Sequence, residues 1–145
     1  MREIDNTLTP NCGQKHIHET PVLRCDRSVA ESHTYWRDPV VAANALCNAN
    51  YKCEICATHS TFIRKSNGKP YTEPHHLVPM SAQKDFNVSL DVENNVVSLC
   101  SNCHNQVHYG VDIDSILEPL YNQRRESLKL VGIDISYDQL KKYYK

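Results

Sequence analysis

Two C-x-x-C pairs limit what this chain can fold into more than any other feature of its sequence. Cys53 pairs with Cys56 and Cys100 with Cys103, and residues 57–99 separate the two pairs. Each short turn presents two sulfurs to one ion, and four thiolates suit the tetrahedral geometry of Zn²⁺. The alternative is a set of unrelated redox pairs or buried thiols. The spacing favours a structural zinc that ties together segments distant in sequence.

The chain has seven cysteines, an odd number, so a complete disulfide framework would leave one thiol over. Cys12, Cys25 and Cys47 belong to no C-x-x-C pair. An irregularly spaced set, in which His16 and His18 join Cys12 and Cys25, offers a second zinc site, but we favour structural or incidental roles for these residues. Zinc–thiolate sites persist in reducing compartments, where disulfides are rare. We therefore expect a cytoplasmic protein.

The length of 145 residues suits one domain with short appendages. No apolar run reaches the ~20 residues that span a bilayer, and the polar N-terminal segment is not a secretory signal, so we expect no membrane partner. The 16 basic and 17 acidic residues are spread evenly along the chain. The sequence therefore lacks the basic stripe of proteins that grip phosphate backbones, and any nucleic-acid site would depend on a few local cations and a metal ion.

Capping signals divide the chain into three parts. Residues 1–37 form an irregular arm without clear periodicity. Asp38 is a good N-cap and Pro39 suits the first helical position, so a helix opens a main domain over residues 38–110. Residues 111–145 form a helical extension that packs on this core.

Local signals predict further elements. Asn67-Gly68 is a strong turn signal and predicts a hairpin between residues 61–63 and 70–72. A short strand is predicted over residues 95–99 and a helix over residues 101–110. Two C-terminal helices follow, one over residues 114–130 and one that begins at a capping box at Ser136.

Four histidines lie around the second half of the predicted zinc site. His75 and His76 are adjacent in an extended segment, whereas His104 and His108 are four residues apart on one face of the helix after Cys100. A zinc that holds the start of this helix would bring strand and helix together. Imidazole is both a ligand for divalent ions and a base with an ordinary pKa near ~6.5. The alternative is a run of polar residues in a zinc ribbon.

These motifs occur in a fixed order. They are Cys53-Glu-Ile-Cys56, Glu73-Pro-His75-His76-Leu-Val-Pro79 and Asn95-Val-Val-Ser-Leu-Cys100-Ser-Asn-Cys103-His104-Asn-Gln-Val-His108-Tyr-Gly110. Over residues 50–110 the sequence closely resembles the HNH (His-Asn-His) endonucleases. More narrowly, it is similar to the zinc-stapled branch that includes modified-cytosine restriction nucleases.

The resemblance implies an α+β fold with a ββα-metal (His-Me finger) core, stapled by a zinc ion on four cysteines and flanked by helices. In such a core a hairpin and a helix hold one catalytic divalent ion, here among Mg²⁺, Mn²⁺, Ni²⁺, Co²⁺ and Zn²⁺. The implied ligands are His75 and His104, with His108 as a third ligand or a phosphate contact.

The resemblance also assigns the remaining catalytic roles. His76 would be the general base that activates water, and Asn95 would hold the loop and the base in position. Asn94 is the alternative if the register is shifted by one residue. Glu73 is either a partner that orients a histidine or an exposed carboxylate.

The implied function is a metal-dependent DNA endonuclease of restriction or phage-defence type that leaves 5′-phosphate and 3′-hydroxyl ends. We expect DNA as partner and consider a homodimer possible. Near the predicted hairpin, Arg64, Lys65 and Lys69 are candidate contacts to the DNA backbone, although such residues are more often solvated surface charges. The alternatives are a catalytically idle, zinc-stapled nucleic-acid-binding module and an HNH nuclease that acts on RNA or as a toxin.

Overall fold

The computed structural model describes residues 12, 15–24, 28–29, 34–35 and 37–144. Much of the predicted N-terminal arm, including Cys25, lies outside these residues. Within the arm, strands β1 (Ser28–Val29) and β2 (Thr34–Tyr35) pair antiparallel. Leu23 forms an isolated bridge with Val88, which attaches the arm to the main domain.

Helix α1 (Pro39–Asn48) begins where the sequence predicts. The Asp38 side chain accepts a hydrogen bond from the Val40 N–H at 3.0 Å, as expected of an N-cap. Close to the end of α1, a disulfide joins Cys47 to Cys12, with their Cα atoms 5.3 Å apart. Sequence reasoning did not predict this pairing, which uses Cys12, and the Cys25 of the possible second zinc set lies outside the described residues.

The strands that carry the histidines are β3 (Glu73–His76) and β4 (Val96–Leu99), which pair antiparallel. Residues 77–95 connect them through two 3₁₀ turns. The hairpin predicted at Asn67-Gly68 has a single β-bridge, between Ile63 and Pro70. Pro70 has no N–H to donate to a ladder, which limits strand pairing at that point.

Helix α2 (Ser101–Tyr109) follows β4 directly. Its N-cap is Cys100, whose sulfur accepts a hydrogen bond from the Cys103 N–H at 3.4 Å. Gly110 ends the helix, and a Cβ there would lie 2.7 Å from the Gln106 carbonyl oxygen. Strands β3 and β4 with helix α2 form the predicted ββα arrangement, so the α+β fold is confirmed.

The C-terminal residues form α3 (Asp114–Leu130) and α4 (Tyr137–Lys142), the latter opened by the predicted capping box. Their apolar faces join the cluster that also contains the strands, including the fully buried Leu77, Leu99, Leu117, Leu120 and Leu140. Burial of one such side chain contributes about 1.5–3 kcal/mol. None of the helices among the described residues is long and apolar enough to cross a membrane.

Arg124 fixes helix α3 to the segment that precedes β4. Its guanidinium pairs with Glu54 at 2.8 and 2.9 Å and donates to the backbone carbonyls of Glu93 and Asn94. Glu54 in turn accepts the N–H of Ser98 in β4 at 2.7 Å. These contacts hold helix α3, the segment around Glu54 and strand β4 in one arrangement.

Candidate active site

Three histidines converge between strand β3 and helix α2. The ring centroids of His75 and His104 lie 5.1 Å apart, and His108 lies 5.0 Å from both. One ring nitrogen of each lies within 4.8 Å of the other two. The triangle forms because β3 presents His75 towards α2, whose helical repeat places His104 above His108. The family resemblance implied these three residues as ligands, with a phosphate contact as the alternative for His108.

The electrostatics favour neutral rings for two of the three histidines, His75 and His108. Burial lowers the pKa of His75 well below its usual value, and the neighbouring rings, His104 first, lower it further. Burial and then His104 also lower the pKa of His108. Neutral imidazole is the form that binds metal ions. Three nitrogen donors suit Mn²⁺, Co²⁺, Ni²⁺ or Zn²⁺ better than Mg²⁺, which prefers oxygen, so the residues fit a divalent transition ion.

Glu73 orients one of the three rings. Its carboxylate lies 2.7 Å from Nδ1 of His104 and also accepts hydrogen bonds from the Tyr71 hydroxyl at 2.8 Å and from Ser101 Oγ at 3.0 Å. Burial alone would raise the pKa of Glu73, but these hydrogen bonds, chiefly that from His104, lower it overall. Since Nδ1 is occupied, Nε2 of His104 is the nitrogen left to bind an ion.

His76 lies beside the triad but is not part of it. Its Nε2 lies 2.8 Å from Oδ1 of Asp91, and Oδ2 of the same carboxylate accepts the backbone N–H of Asp38 at 2.6 Å. A ring held at Nε2 by a carboxylate can take up a proton at Nδ1. Sequence reasoning missed Asp91, because it lies outside every motif and meets His76 only through the folded connection between the strands.

Asn95 fastens the connection between the two strands. The side chain is fully buried, accepts the Val78 N–H at 2.8 Å and donates to the carbonyls of Val78 and Leu90 at 3.0 and 2.9 Å. Asn94 instead bonds to the backbone of His18 and to Ser127. The contacts of Asn95, rather than those of Asn94, therefore match the predicted loop-holding position.

A second group of metal-binding side chains lies at the start of α2. Ligand atoms of Cys53, His59, Cys100 and Cys103 all lie within 4.8 Å of one another. Nδ1 of His59 lies 3.6 Å from the Cys100 sulfur and 3.5 Å from that of Cys103. Three thiols and one imidazole are a recognised tetrahedral zinc set, so these residues fit a structural zinc.

Cys56 was predicted to be the fourth ligand but lies outside this group in the structure. Its sulfur lies 2.9 Å from Oγ1 of Thr58. A turn in which the His59 N–H bonds to the Cys56 carbonyl at 3.0 Å brings the imidazole over the other sulfurs instead. The spacing Cys56-x-x-His59 is visible in the sequence and was the signal that could have identified the histidine.

The protonation of Cys53 is consistent with a thiolate ligand. Burial raises the pKa of this thiol, but hydrogen bonds from the backbone of Cys100, Cys56 and Ile55 and from His59 outweigh burial and lower the pKa to about 7. Metal binding requires a deprotonated sulfur. The local backbone therefore favours the thiolate at Cys53, whereas burial and the neighbouring Cys100 and Cys53 raise the pKa of the Cys103 thiol.

The three basic residues predicted to contact DNA differ in position. Arg64 is 3 % exposed, donates to the Thr72 carbonyl at 3.0 Å and lies 4.5 Å above the Tyr71 ring. Its prediction as a surface contact is wrong, since the loop turns this side chain inwards against Tyr71. Lys65 and Lys69 are exposed on the same loop.

The model of the HNH endonuclease family matches residues 53–110. This segment is similar to the HNH endonucleases. The match contains both candidate metal groups, together with His76, Asp91 and Asn95.

Two restriction enzymes are similar to the HNH segment and its surroundings. The type IV methyl-directed restriction enzyme EcoKMcrA of Escherichia coli (strain K12) is 37 % identical over 87 residues, which cover 60 % of this chain and 29 % of that protein. The solved structure of the type IV phosphorothioation-dependent restriction endonuclease ScoMcrA aligns with a TM-score of 0.52 and 28 % identity, over 66 % of this chain and 18 % of that one. The chain thus spans less than a third of either relative.

Proposed function

We propose that the chain is a metal-dependent endonuclease of restriction type that hydrolyses phosphodiester bonds in DNA. The observation that carries the proposal is the triangle of His75, His104 and His108 with the His76–Asp91 pair beside it. The family match supports a nuclease, and the two similar restriction enzymes support DNA as the substrate. The products would carry 5′-phosphate and 3′-hydroxyl ends.

The histidine triad would hold one divalent ion. An ion bound by three neutral imidazoles would keep its full positive charge, and this charge would stabilise the phosphate and the leaving 3′-oxygen in the transition state. Neutral ligands also account for a phosphate site in a chain whose net charge is −1. Glu73 would keep the His104 ring in the orientation that presents Nε2.

His76 would deprotonate the attacking water. General bases of this kind contribute about 10²–10⁴-fold to a rate. Asp91 would hold the ring through Nε2 and stabilise the imidazolium that forms when Nδ1 takes the proton. Asn95 would keep the connection that carries Asp91 at a constant distance from the base, because it ties Val78 to Leu90.

The group of Cys53, His59, Cys100 and Cys103 would hold a structural zinc. This ion would not touch the substrate. It would fix the start of α2, and so the two histidines of that helix, against the knuckle that contains Cys53.

Cleavage of supercoiled plasmid by metal-stripped protein, with each divalent ion restored in turn, tests the proposal. Wild type should nick or linearise the plasmid, and His76→Ala should be slower by at least about 100-fold. Zinc content and circular dichroism of both proteins exclude unfolding as the cause. If neither protein cuts DNA with any ion while both are folded and zinc-loaded, the chain is a binding module or acts on another substrate such as RNA.

A further inference from the structure

The C-terminal turn reaches the histidine triad. Helix α4 begins at the Ser136 capping box, buries Leu140 and continues into a turn in which the Tyr144 N–H bonds to the Lys141 carbonyl at 3.0 Å. This turn places the Tyr144 ring 5.9 Å from the ring centroid of His75 and 6.4 Å from that of His108. The C-terminal extension therefore contacts the histidine triad as well as the hydrophobic core.

The Tyr144 hydroxyl contacts three polar atoms at the end of β3. It lies 2.8 Å from Nε2 of His75, hydrogen-bonds to the Leu77 carbonyl, and lies 3.4 Å from the His76 carbonyl. A phenol has one proton to donate and lone pairs with which to accept. A carbonyl oxygen can only accept, so the phenol proton goes to Leu77 and the lone pair faces His75.

This pattern determines where His75 carries its own proton. If the phenol donates to a carbonyl, the short contact with His75 is satisfied only when Nε2 carries hydrogen and donates to the phenol oxygen. A neutral imidazole has one such hydrogen, so Nδ1 is then the nitrogen that accepts. The reverse assignment would leave the phenol and the Leu77 carbonyl facing each other without a hydrogen between them.

We propose that Tyr144 is a positioning residue that holds His75 in the tautomer protonated on Nε2, so that His75 presents Nδ1 to a divalent ion. The proposal rests on the proposed function, because it assigns a partner to one ligand of the same ion. Glu73 in strand β3 orients the His104 ring in the same way, through a contact with Nδ1 of that ring. Two of the three rings would thus be oriented from outside the triad, one of them by the C-terminal turn. Loss of such an outer partner typically weakens metal binding by about 10- to 100-fold.

Tyr144→Phe removes the hydroxyl and keeps the ring, and Tyr143→Phe is the matched control. The Tyr143 hydroxyl bonds to the surface carboxylate of Asp85 at 3.1 Å and touches no histidine of the triad. Protein that already holds one zinc per chain is titrated with Ni²⁺ in a calorimeter. We expect Tyr144→Phe to bind Ni²⁺ about 10- to 100-fold more weakly than wild type and Tyr143→Phe to match wild type. Equal affinity in all three proteins, or tighter binding by Tyr144→Phe, would overturn the proposal.

Nitrogen NMR of the histidine rings gives a readout that needs neither a catalytic ion nor cleavage. In the zinc-loaded protein without Ni²⁺, long-range ¹H–¹⁵N spectra should show His75 protonated on Nε2 in wild type and in Tyr143→Phe. Tyr144→Phe should show a mixture of tautomers. A wild-type His75 protonated on Nδ1 would overturn the proposal even if the protein cuts DNA. Absence of Ni²⁺ binding and of cleavage in wild type, with His75 protonated on Nε2, would instead count against the proposed function.

Discussion

The carboxylate of Asp91 joins the candidate base His76 to the start of helix α1. One oxygen lies 2.8 Å from Nε2 of His76 and the other accepts the Asp38 N–H at 2.6 Å. Both oxygens are thus fixed, and the side chains of Asp91 and His76 are only 10 % and 15 % exposed. A base held in this way needs little reorganisation when it takes a proton from water.

Asp91→Asn should slow cleavage by about 100-fold while Ni²⁺ binding to the triad is unchanged. The amide is nearly isosteric, but it cannot stabilise an imidazolium on His76. Single-turnover cleavage of a labelled duplex and calorimetric Ni²⁺ titration separate the two effects. Asp85→Asn, which changes a surface carboxylate, is the control. A loss of metal binding equal to the loss of rate would show that Asp91 acts on the triad and not on the base.

The composition of the zinc group can be tested by two single substitutions. His59→Ala should reduce zinc to well below one equivalent per chain after dialysis against a mild chelator and should lower the melting temperature. Cys56→Ala should retain the zinc, because its sulfur lies beside Thr58 and not among the ligands. Metal analysis by mass spectrometry is the measurement. Zinc loss in Cys56→Ala with zinc retention in His59→Ala would contradict this prediction and support the four-cysteine set that the sequence predicts.

Asn95→Ala should destabilise the fold by about 3 kcal/mol, because it leaves the buried N–H and carbonyl of Val78 and the carbonyl of Leu90 without their partner. Urea unfolding measures this change. Hydrogen exchange should quicken at Val78, whose amide loses its acceptor. Asn94→Ala is the comparison, since its contacts lie with His18 and Ser127. Faster hydrogen exchange at Val78 in Asn94→Ala alone would show that Asn94, and not Asn95, holds the Val78 amide.

Charge reversal of Lys65 and Lys69 should weaken DNA binding more than it changes stability. Both side chains are exposed on the loop that leads to Tyr71, which bonds to Glu73 beside the triad. If each lysine neutralises one phosphate, the double substitution to Glu should reduce the slope of log K against log salt by about 2. Fluorescence anisotropy at several salt concentrations gives the slope. Lys129→Glu on α3 is the control, and an unchanged slope in the double variant would exclude the loop from the DNA contact.

Much of the fold follows from signals that act over a few residues. Asp38 and Pro39 start α1, the Ser136 box starts α4, and Gly110 ends α2, because caps and breakers work locally. The histidine triad was also predictable, since helical spacing and the family motif agree. The caps and breakers need no knowledge of long-range contacts, whereas the contact between His75 and helix α2 was predicted through the family motif.

The contacts that complete the site were not predictable in this way. Asp91 reaches His76 only because Asn95 holds the connection between the strands, and Tyr144 reaches His75 only because α4 docks on the core. One turn brings His59, and not Cys56, close to Cys53, Cys100 and Cys103, and Arg64 points inwards over Tyr71. Each depends on tertiary packing or on the conformation of a single loop, which neither periodicity nor composition specifies.

The most direct test of the central claim measures metal content and cleavage on the same sample. Wild-type protein and His108→Ala are loaded with zinc, incubated with Ni²⁺ or Mn²⁺, analysed for bound metal and assayed on an end-labelled DNA duplex. We predict that wild type binds one zinc and one further ion per chain and releases fragments with 5′-phosphate and 3′-hydroxyl ends. His108→Ala should keep the zinc, lose the second ion and cut far more slowly. Undiminished cleavage by His108→Ala without a second ion, or wild type that holds both ions and leaves DNA intact, would contradict the account.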